Sequence, residues 1–476
     1  MQLTDEIVFE ILSNIEHKQN QERKKREYIS EQIYDGNLWF YVKERLKQWY
    51  PITYENYSIS DYSVLKKVVD KKSKAYKEAP KRKLENDAET NAYEEITKEG
   101  DLNVAMKRID KLYNQHKYTA IGIFKEDDGY DFVPLAPYSF DVVKDNDGNV
   151  VCYIISYPDQ FVTDGPFKDL YNPLIAETGG QDEGIGKKLY AFWTDTDHKL
   201  IRVSTQSNGE KKFENVPIDG NPDNINPYGV LPFVFLPHEI DQNYPNPSPL
   251  AGQTVEVNAL NSVYLTSGNM QIGQLILKYP ADQDIKTVSQ GLMTAIKLPQ
   301  STNPDSKETT ADYISPSPDL AGHRESIMTF LSMILDEQGI QSNQVITGQN
   351  EKFSSGFDRL LSSADVQTII EENQELYHYV ECEIYEIIKK IEENYGSMVF
   401  KSKDLQITYK KPKVLISDTE KLDNIQKMQE LGLLENWEKF QLIDPNLSED
   451  QAKEKAGRIQ KEKSVLLQGL NNVQQG

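Results

Sequence analysis

A chain of 476 residues has room for roughly three domains with ample core. Its formal charge of −22 describes a surface that repels bulk nucleic acid rather than coating it. Its two cysteines, Cys152 and Cys382, lie far apart and build neither a disulfide framework nor a zinc spacing, which points to a reducing compartment; no apolar run reaches the roughly 18 residues of a membrane span.

The opening MQLTDEIVFE has no signal-peptide pattern, so a soluble protein that stays where it is made is expected. Thr4 can cap a first helix whose opening turn carries Asp5 and Glu6, with Ile7, Ile11, Leu12 and Ile15 on one face. Helical periodicity resumes over about 38–48, 61–78 and 89–115. The stretch KKVVDKKSKAYKEAPKRK, 66–83, holds nine basic and two acidic residues, so the remainder of the chain carries −29. Lys66, Lys67, Lys71, Lys72 and Lys74 form a candidate basic strip, either a solvated helix face or a surface for phosphate or a partner. The expectation is that it neutralises acidic surface on a neighbouring subunit or another protein partner.

From Tyr118 the period shifts toward two. AIGIF, YDFVPL, FDVV and VVCYIIS read as strands, with Asp147-Gly148 at a hairpin turn. LYAFWTD and KLIRVST read as a second hairpin. The prolines of NPYGVLPFVFLPHE, 226–239, make it an edge or exit strand. Next, Ser248-Pro249 and Ser317-Pro318 each place a capping hydroxyl before a proline at the first helical position. The two helices they open, with Leu250, Val257, Leu260 and Tyr264 on the first and Leu320, Ile327, Phe330, Leu331 and Ile334 on the second, are each about 22 residues or roughly 33 Å long. Between them LILKYP, AIKLP and DYISP read as short strands. The apolar stripes are narrow and the other faces carry Ser, Thr, Asn and Gln, so neighbouring copies of the chain are expected to supply the missing walls.

A polar stretch of about fifteen residues, 341–355, follows, where a packed helical connection would use roughly two to eight. Gly339 should stop the second helix and Ser354 or Ser355 cap the next. That next helix runs from about Gly356 to Tyr395, with Val366, Ile369, Ile370, Leu376, Val380, Ile384, Ile387, Ile388 and Ile391 on its buried face. The strand LQITYKKPKVLI follows it. Capping boxes at Ser417/Glu420 and Ser448/Gln451 then open a C-terminal helical set punctuated by Gly432 and Asp444-Pro445.

Enzymatic signals are weak. GGQDEGIGKK, 179–188, misses a phosphate-loop spacing by one residue, and Lys188 stands where a magnesium-binding Ser or Thr belongs. Pro158-Asp159 with Asp197-His198-Lys199 has the look of a metal-dependent nuclease pattern, but TDTDHK falls at a hairpin turn where such residues are ordinary. No two histidines stand at a metal-binding i, i+4 spacing, and His323 reads as a packing or interface residue. No catalytic residue, metal ligand or cofactor is assigned.

The order of parts resembles the portal proteins of tailed bacteriophages over nearly the whole chain. The resemblance rests on YDGNLWF, LKKVVDKKSKAYKEAP, GVLPFVFLPHE ahead of the first long helix, the helix–β–helix insertion, SSGFDRLLSSADV, DTEKLDNIQKMQELGLL and SEDQAKEKAGRIQKEK. It implies an α+β fold with an N-terminal wing (1–245), stem helices at 246–271 and 317–340, a β-rich clip (272–316) and a tunnel loop (341–355). Residues 356–416 would complete the wing and 417–476 would form a small helical crown. It further implies a homo-oligomeric ring, typically of twelve subunits, at one capsid vertex of the virion, assembled in the host cytoplasm. Double-stranded DNA would pass through without sequence specificity. Partners would be the terminase large subunit, a head–tail adaptor, and the major capsid and scaffolding proteins, with no membrane. Gln344, Gln349, Asn350, Lys352 and Phe353 would then be the tunnel-loop residues, the polar ones facing DNA. An acidic or neutral wall would lubricate DNA by repulsion, with sparse cations such as Lys352 and Arg359 guiding it, since tight phosphate contacts would brake every step. The alternative is a phage DNA-processing enzyme, a nuclease or terminase component.

Overall fold

The computed structural model describes residues 2–126, 129–157, 188–205, 211–218, 221–237, 248–270, 274–280, 289–290, 293–294, 296–300, 310–314, 319–340, 356–395, 399–409, 425, 428, 437–443 and 451–459. Helix and sheet are mixed, as an α+β chain requires. Two compact units emerge, Met1–Ile346 with Thr368–Lys410, and Thr347–Gln367 with Lys411–Gly476.

The first unit opens with helix α1 (Asp5–Ile15), whose first turn is capped by the Thr4 hydroxyl accepting from the Ile7 N–H. Helix α2 (Lys18–Tyr34) was not foreseen from the sequence, because its buried face is written in charge. Lys24, Glu27, Ser30 and Glu31 are all buried. Arg23 Nη2 donates to Asp141 Oδ1 at 2.7 Å and Nη1 to Glu27 Oε2 at 3.1 Å, while Gln115 Nε2 donates to Ser30 Oγ at 3.0 Å. These partners restore what burial removes from each charge. Burial raises the Glu27 carboxyl above its usual range, and Arg23 pulls against that shift.

Helices α3 (Leu38–Trp49) and α4 (Val64–Lys72) follow. The helix expected over 61–78 is therefore shorter at both ends. Ser63 caps it at the front, and after Ser73 the chain turns into strand β1 (Lys81–Lys83). The single helix expected over 89–115 is two, α5 (Asp87–Glu99) and α6 (Leu102–His116). The break has a backbone cause. Asp101 takes a left-handed φ of 53°, and a Cβ on Gly100 would stand 2.4 Å from the Tyr130 carbonyl oxygen, so only glycine permits this close passage.

The β region follows its sequence pattern closely. Strands β2 (Thr119–Glu126) and β3 (Gly129–Leu135) pair antiparallel, and β9 (Phe233–Leu236) adds to the other side of β2, giving the order β3-β2-β9. The proline-flanked β9 is thus an edge strand, as expected. A second sheet is an antiparallel meander of β4 (Phe140–Lys144), β5 (Val150–Tyr157), β6 (Lys188–Trp193), β7 (His198–Thr205) and β8 (Lys211–Val216). Gly148 makes the β4–β5 turn with φ 86°. Strand β8 had not been expected.

Alternation decides which side of the meander meets what. Tyr153, Ile155, Leu189, Ala191, Trp193 and Leu200 join Ala120, Phe124, Phe233 and Phe235 in one core between the sheets. Cys152, Ile154, Tyr190, Phe192, Ile201 and Val203 point the other way, onto Val8, Leu12 and Ile15 of α1. A sheet covered on both faces needs apolar residues at odd and even positions alike, which is why VVCYIIS has no polar face.

Helix α7 (Leu250–Met270) leads into a β module of β10 (Gln274–Pro280), the two-residue strands β11 (Ser289–Gln290) and β12 (Met293–Thr294), β13 (Ile296–Gln300) and β14 (Thr310–Ile314). Its main sheet has the order β13-β10-β14, parallel between β10 and β13. Helix α8 (Leu320–Glu337) returns, and the 40-residue α9 (Gly356–Tyr395) follows. From Thr368 onward α9 belongs to the first unit. There Val380, Glu381, Ile384 and Ile388 are buried, and Glu381 takes Arg82 Nη2 at 2.9 Å and the Tyr76 hydroxyl at 2.7 Å. Strand β15 (Gln406–Thr408) pairs antiparallel with β1.

In the second unit, helix α10 (Glu438–Ile443) and the helical residues 451–459 are described. The Lys453 ammonium lies 4.9 Å from the Trp437 ring centre and Lys455 5.5 Å from that of Phe440. The expected capping residues Ser417, Glu420 and Ser448, and the breaks at Gly432 and Asp444-Pro445, fall outside the described residues. No helix among the described residues is long and apolar enough to cross a membrane.

Candidate functional site

Helices α7 and α8 lie side by side in opposite directions. Gln253, near the start of α7, donates through Nε2 to Glu337 Oε2 at the end of α8 (3.0 Å), and a Cβ on Gly268 near the far end would touch Leu320 Cδ1 at 4.0 Å. The Ser248 hydroxyl accepts from the Leu250 N–H as the sequence implied, at 3.4 Å. The front of α8 is capped by Asp319, whose Oδ1 accepts from the Gly322 N–H at 2.9 Å. Ser317 had been expected in that role and lies outside the described residues. Its acidic neighbour also satisfies the helix dipole, which a hydroxyl does not.

The polar side of α7 is occupied from within the chain. Thr254, Asn258, Ser262 and Thr266 stand four residues apart and are all buried. Each donates to the carbonyl four residues back, at 2.8, 2.8, 2.7 and 2.8 Å in that order. That bond fixes the side chain and turns its remaining oxygen lone pairs outward. Residues 58–65 supply the donors. Leu65 N–H reaches Thr254 Oγ1 (3.2 Å), Tyr62 N–H reaches Asn258 Oδ1 (2.7 Å), Ser60 N–H reaches Ser262 Oγ (2.9 Å) and Ser58 N–H reaches Thr266 Oγ1 (3.0 Å). Asn258 adds an acceptor for Ser60 Oγ (2.8 Å) and a donor to the Tyr62 carbonyl (2.9 Å). One helical turn of α7 thus meets two residues of strap from Ser58 to Tyr62, and three from Tyr62 to Leu65. The Ser/Thr/Asn face of α7 is covered from within the chain, by the backbone N–H groups of Ser58, Ser60, Tyr62 and Leu65.

Leu260 and Leu265 are exposed on α7; α8 exposes Met333 together with His323, Arg324, Glu325 and Glu337. Glu256 is the one charged residue of α7, and it pairs with Arg45 at 2.9 Å. A cavity of about 300 Å³ opens between the helices, lined by Tyr62, Asn261, Tyr264, Arg324, Ile327 and Met328 among others.

The end of α8 is a Schellman turn. Gly339 adopts φ 66°, its N–H donates to the Asp336 carbonyl (3.0 Å), and the Ile340 N–H reaches back to that of Leu335 (2.9 Å). The helix stops where the sequence said it would. The proposed tunnel-loop residues Gln344, Gln349, Asn350, Lys352 and Phe353 all lie outside the described residues.

The basic strip is not one surface. Lys66, Lys67 and Lys74 are exposed, with the Lys67 ammonium 3.6 Å from the Tyr62 ring centre. Lys71 is half-buried, whereas Lys72 and Arg82 are buried, Lys72 against Gln338 Oε1 (3.2 Å) and Arg82 against Glu381. Counting charge along the sequence could not separate these, because α4 turns Val64, Leu65, Val68, Val69 and Lys72 inward together.

The residues of the nuclease-like pattern have structural work. Asp197 Oδ2 accepts from the Leu3 N–H at 2.6 Å, and the His198 ring stacks 3.5 Å from that of Trp193. Burial pushes that imidazole down to about 3, so it is neutral. Lys188 donates to Glu16 Oε1 (3.0 Å) and Gln21 Oε1 (2.9 Å). Asp159 and the rest of the glycine-rich loop lie outside the described residues, among which no group of His, Cys, Asp and Glu suited to a metal is found. His323 is exposed on α8. No protein-family model matches the sequence, and no curated protein matches it.

Proposed function

We propose that the chain is the subunit of a portal-type ring at a phage capsid vertex, a conduit for packaging, retaining and ejecting double-stranded DNA. One observation carries the reading: the antiparallel pair α7/α8 brackets a small β module and is followed, after a long polar stretch, by the 40-residue α9. In such a ring α7 and α8 are the stem, residues 272–316 the clip that docks terminase and later the head–tail adaptor, and 341–355 the tunnel loop. The N-terminal helices and sheets form the wing, and 417–476 the crown. Supporting features are the near absence of charge on α7 and the exposed Leu260, Leu265 and Met333, which offer apolar contact to neighbouring stems. A net charge of −22 suits a wall that DNA slides past.

Light scattering and negative-stain imaging of the purified chain test this directly. Rings with a central hole, about a dozen subunits around, are the expected result. A compact monomer across a wide concentration range, unchanged by Leu260→Asp or Leu265→Asp, refutes it.

A further inference from the structure

Helix α3 carries large apolar side chains on two sides. Leu38, Val42 and Leu46 are buried, whereas Trp39 is 50% and Phe40 48% exposed. Two neighbouring rings left in water mark a surface that something else covers. Trp39, Lys43 and Lys47 follow one another at four-residue steps, which stacks them on one face of the helix, with Phe40 beside them. The stripe is ordered from its flank. The Lys43 and Lys47 ammonium groups lie 5.8 and 5.9 Å from the Tyr54 ring centre, and the Phe40 ring is 6.1 Å from that of Trp39. The complementary pattern stands on α9. Its inward face holds Tyr377, Glu381, Ile384 and Ile388, all buried. The opposite face shows Glu371, Glu375 and Tyr379, again at four-residue steps, with both carboxylates exposed and Tyr379 59% exposed. Because both stripes stand exposed, neither covers the other within one chain.

We infer that α3 of one copy packs antiparallel on α9 of the next; the inference rests on the ring reading and names an interface for it. Steps of about 6.0 Å on both helices then set Trp39 against Tyr379, Lys43 against Glu375 and Lys47 against Glu371. Ring meets ring, and each ammonium meets a carboxylate. Contacts of like with like are unfavourable. A two-fold pairing of α3 with itself centred on this stripe sets Lys43 against Lys43, and the same pairing of α9 sets Glu375 against Glu375. The charges therefore select contact between two different faces. Such a contact is head-to-tail, and it is the kind that propagates from copy to copy and closes into a ring. The competing occupant of the α3 stripe is an unrelated acidic protein.

The test uses the full chain and reads particle mass by light scattering across a range of concentrations. Lys43→Glu with Lys47→Glu, and Glu371→Lys with Glu375→Lys, should each raise the concentration for half-assembly about tenfold or more. All four substitutions together restore the pairs with reversed sign, and assembly should return to within about threefold of wild type. A control keeps the net charge but not the pairing. Lys98→Glu with Lys107→Glu, both exposed on other helices, combined with Glu371→Lys and Glu375→Lys, should stay impaired. Wild-type assembly in either double variant, or a loss that the fourfold variant does not repair, overturns this interface and leaves another protein as the cover of the α3 stripe. Those outcomes leave the ring itself standing. A wild type that stays monomeric instead refutes the ring reading, and this interface with it.

Discussion

Replacing Asn258 by alanine should release the strap from α7. The side chain makes four hydrogen bonds, two accepted from Ser60 Oγ and the Tyr62 N–H and two donated to the Tyr62 and Thr254 carbonyls. The Thr254 carbonyl sits inside the helix ladder, so three groups on the strap lose a partner. An unsatisfied buried group costs about 1–3 kcal/mol. Tyr62 is 38% exposed, so water reaches part of its backbone and the lower figure applies to each. The expected loss is about 3 kcal/mol of local stability, or roughly a hundredfold in the opening equilibrium. Native-state hydrogen exchange on a peptide covering 58–65 reads that opening without requiring two-state unfolding of a two-unit chain. Asn261→Ala is the internal control. That half-buried side chain donates once, to Ser60 Oγ at 3.0 Å, and its loss should cost no more than about 1 kcal/mol. Exchange over 58–65 that is unchanged in Asn258→Ala, or changed equally in both variants, would refute the reasoning.

Asp110 supplies a pH dependence. Burial pushes its carboxyl up to about 7, against hydrogen bonds from the Tyr377 hydroxyl, the Ala75 N–H and Asn114 Nδ2. A folded value raised above the unfolded one, about 3.9, means stability that is full below pH 4 and is lost as pH rises through 7. Subtracting the stability curve of Asp110→Asn from that of wild type should therefore reveal a decline of at most about 4 kcal/mol between those limits; a flat difference sinks the assignment. The Arg82–Glu381 pair predicts non-additivity: Glu381→Leu alone strands a buried guanidinium and should cost about 3–5 kcal/mol, whereas adding Arg82→Met should restore part of it. A double variant as unstable as the sum of the singles would count against that account.

The parts legible in the sequence share one property, a buried face made of apolar residues. Strands β2 to β7 and helix α9 announce themselves by period because Val, Ile, Phe and Tyr mark the side that packs. Helix α2 and the α7 strap do not, since Glu27, Ser30 and Glu31, or Thr254, Asn258 and Ser262, are residues that a pattern search assigns to solvent. Their signal was present as spacing, four residues apart along α7 and three or four along α2, but polarity hid it. The break at Gly100-Asp101 depended on where Tyr130 passes, which no local window contains. The basic strip is uneven for the converse reason: nine cations among eighteen residues look alike in sequence until the fold assigns each a side.

The geometry of the strap also explains why it is short. Four residues of helix rise about 6.0 Å, and two residues of extended chain span about 6.6 Å, so rungs two residues apart can face rungs four apart. The mismatch of about 0.6 Å per turn accumulates, and after the rungs at Ser58, Ser60 and Tyr62 it exceeds about 1 Å, a large fraction of the tolerance of a hydrogen bond. At that point the chain changes conformation rather than stretching the bonds. Ser63 caps α4, and the next rung falls three residues on, at Leu65, an N–H of the first helical turn that has no partner inside its own helix. The strap therefore ends by becoming a helix, and the first N–H groups of that helix complete it. Directional bonds of this kind hold α7 in one register along its length, where a smooth apolar stripe would let it slide. They also consume the polar side of the helix, which leaves Leu260 and Leu265 as the surface through which α7 can meet another molecule.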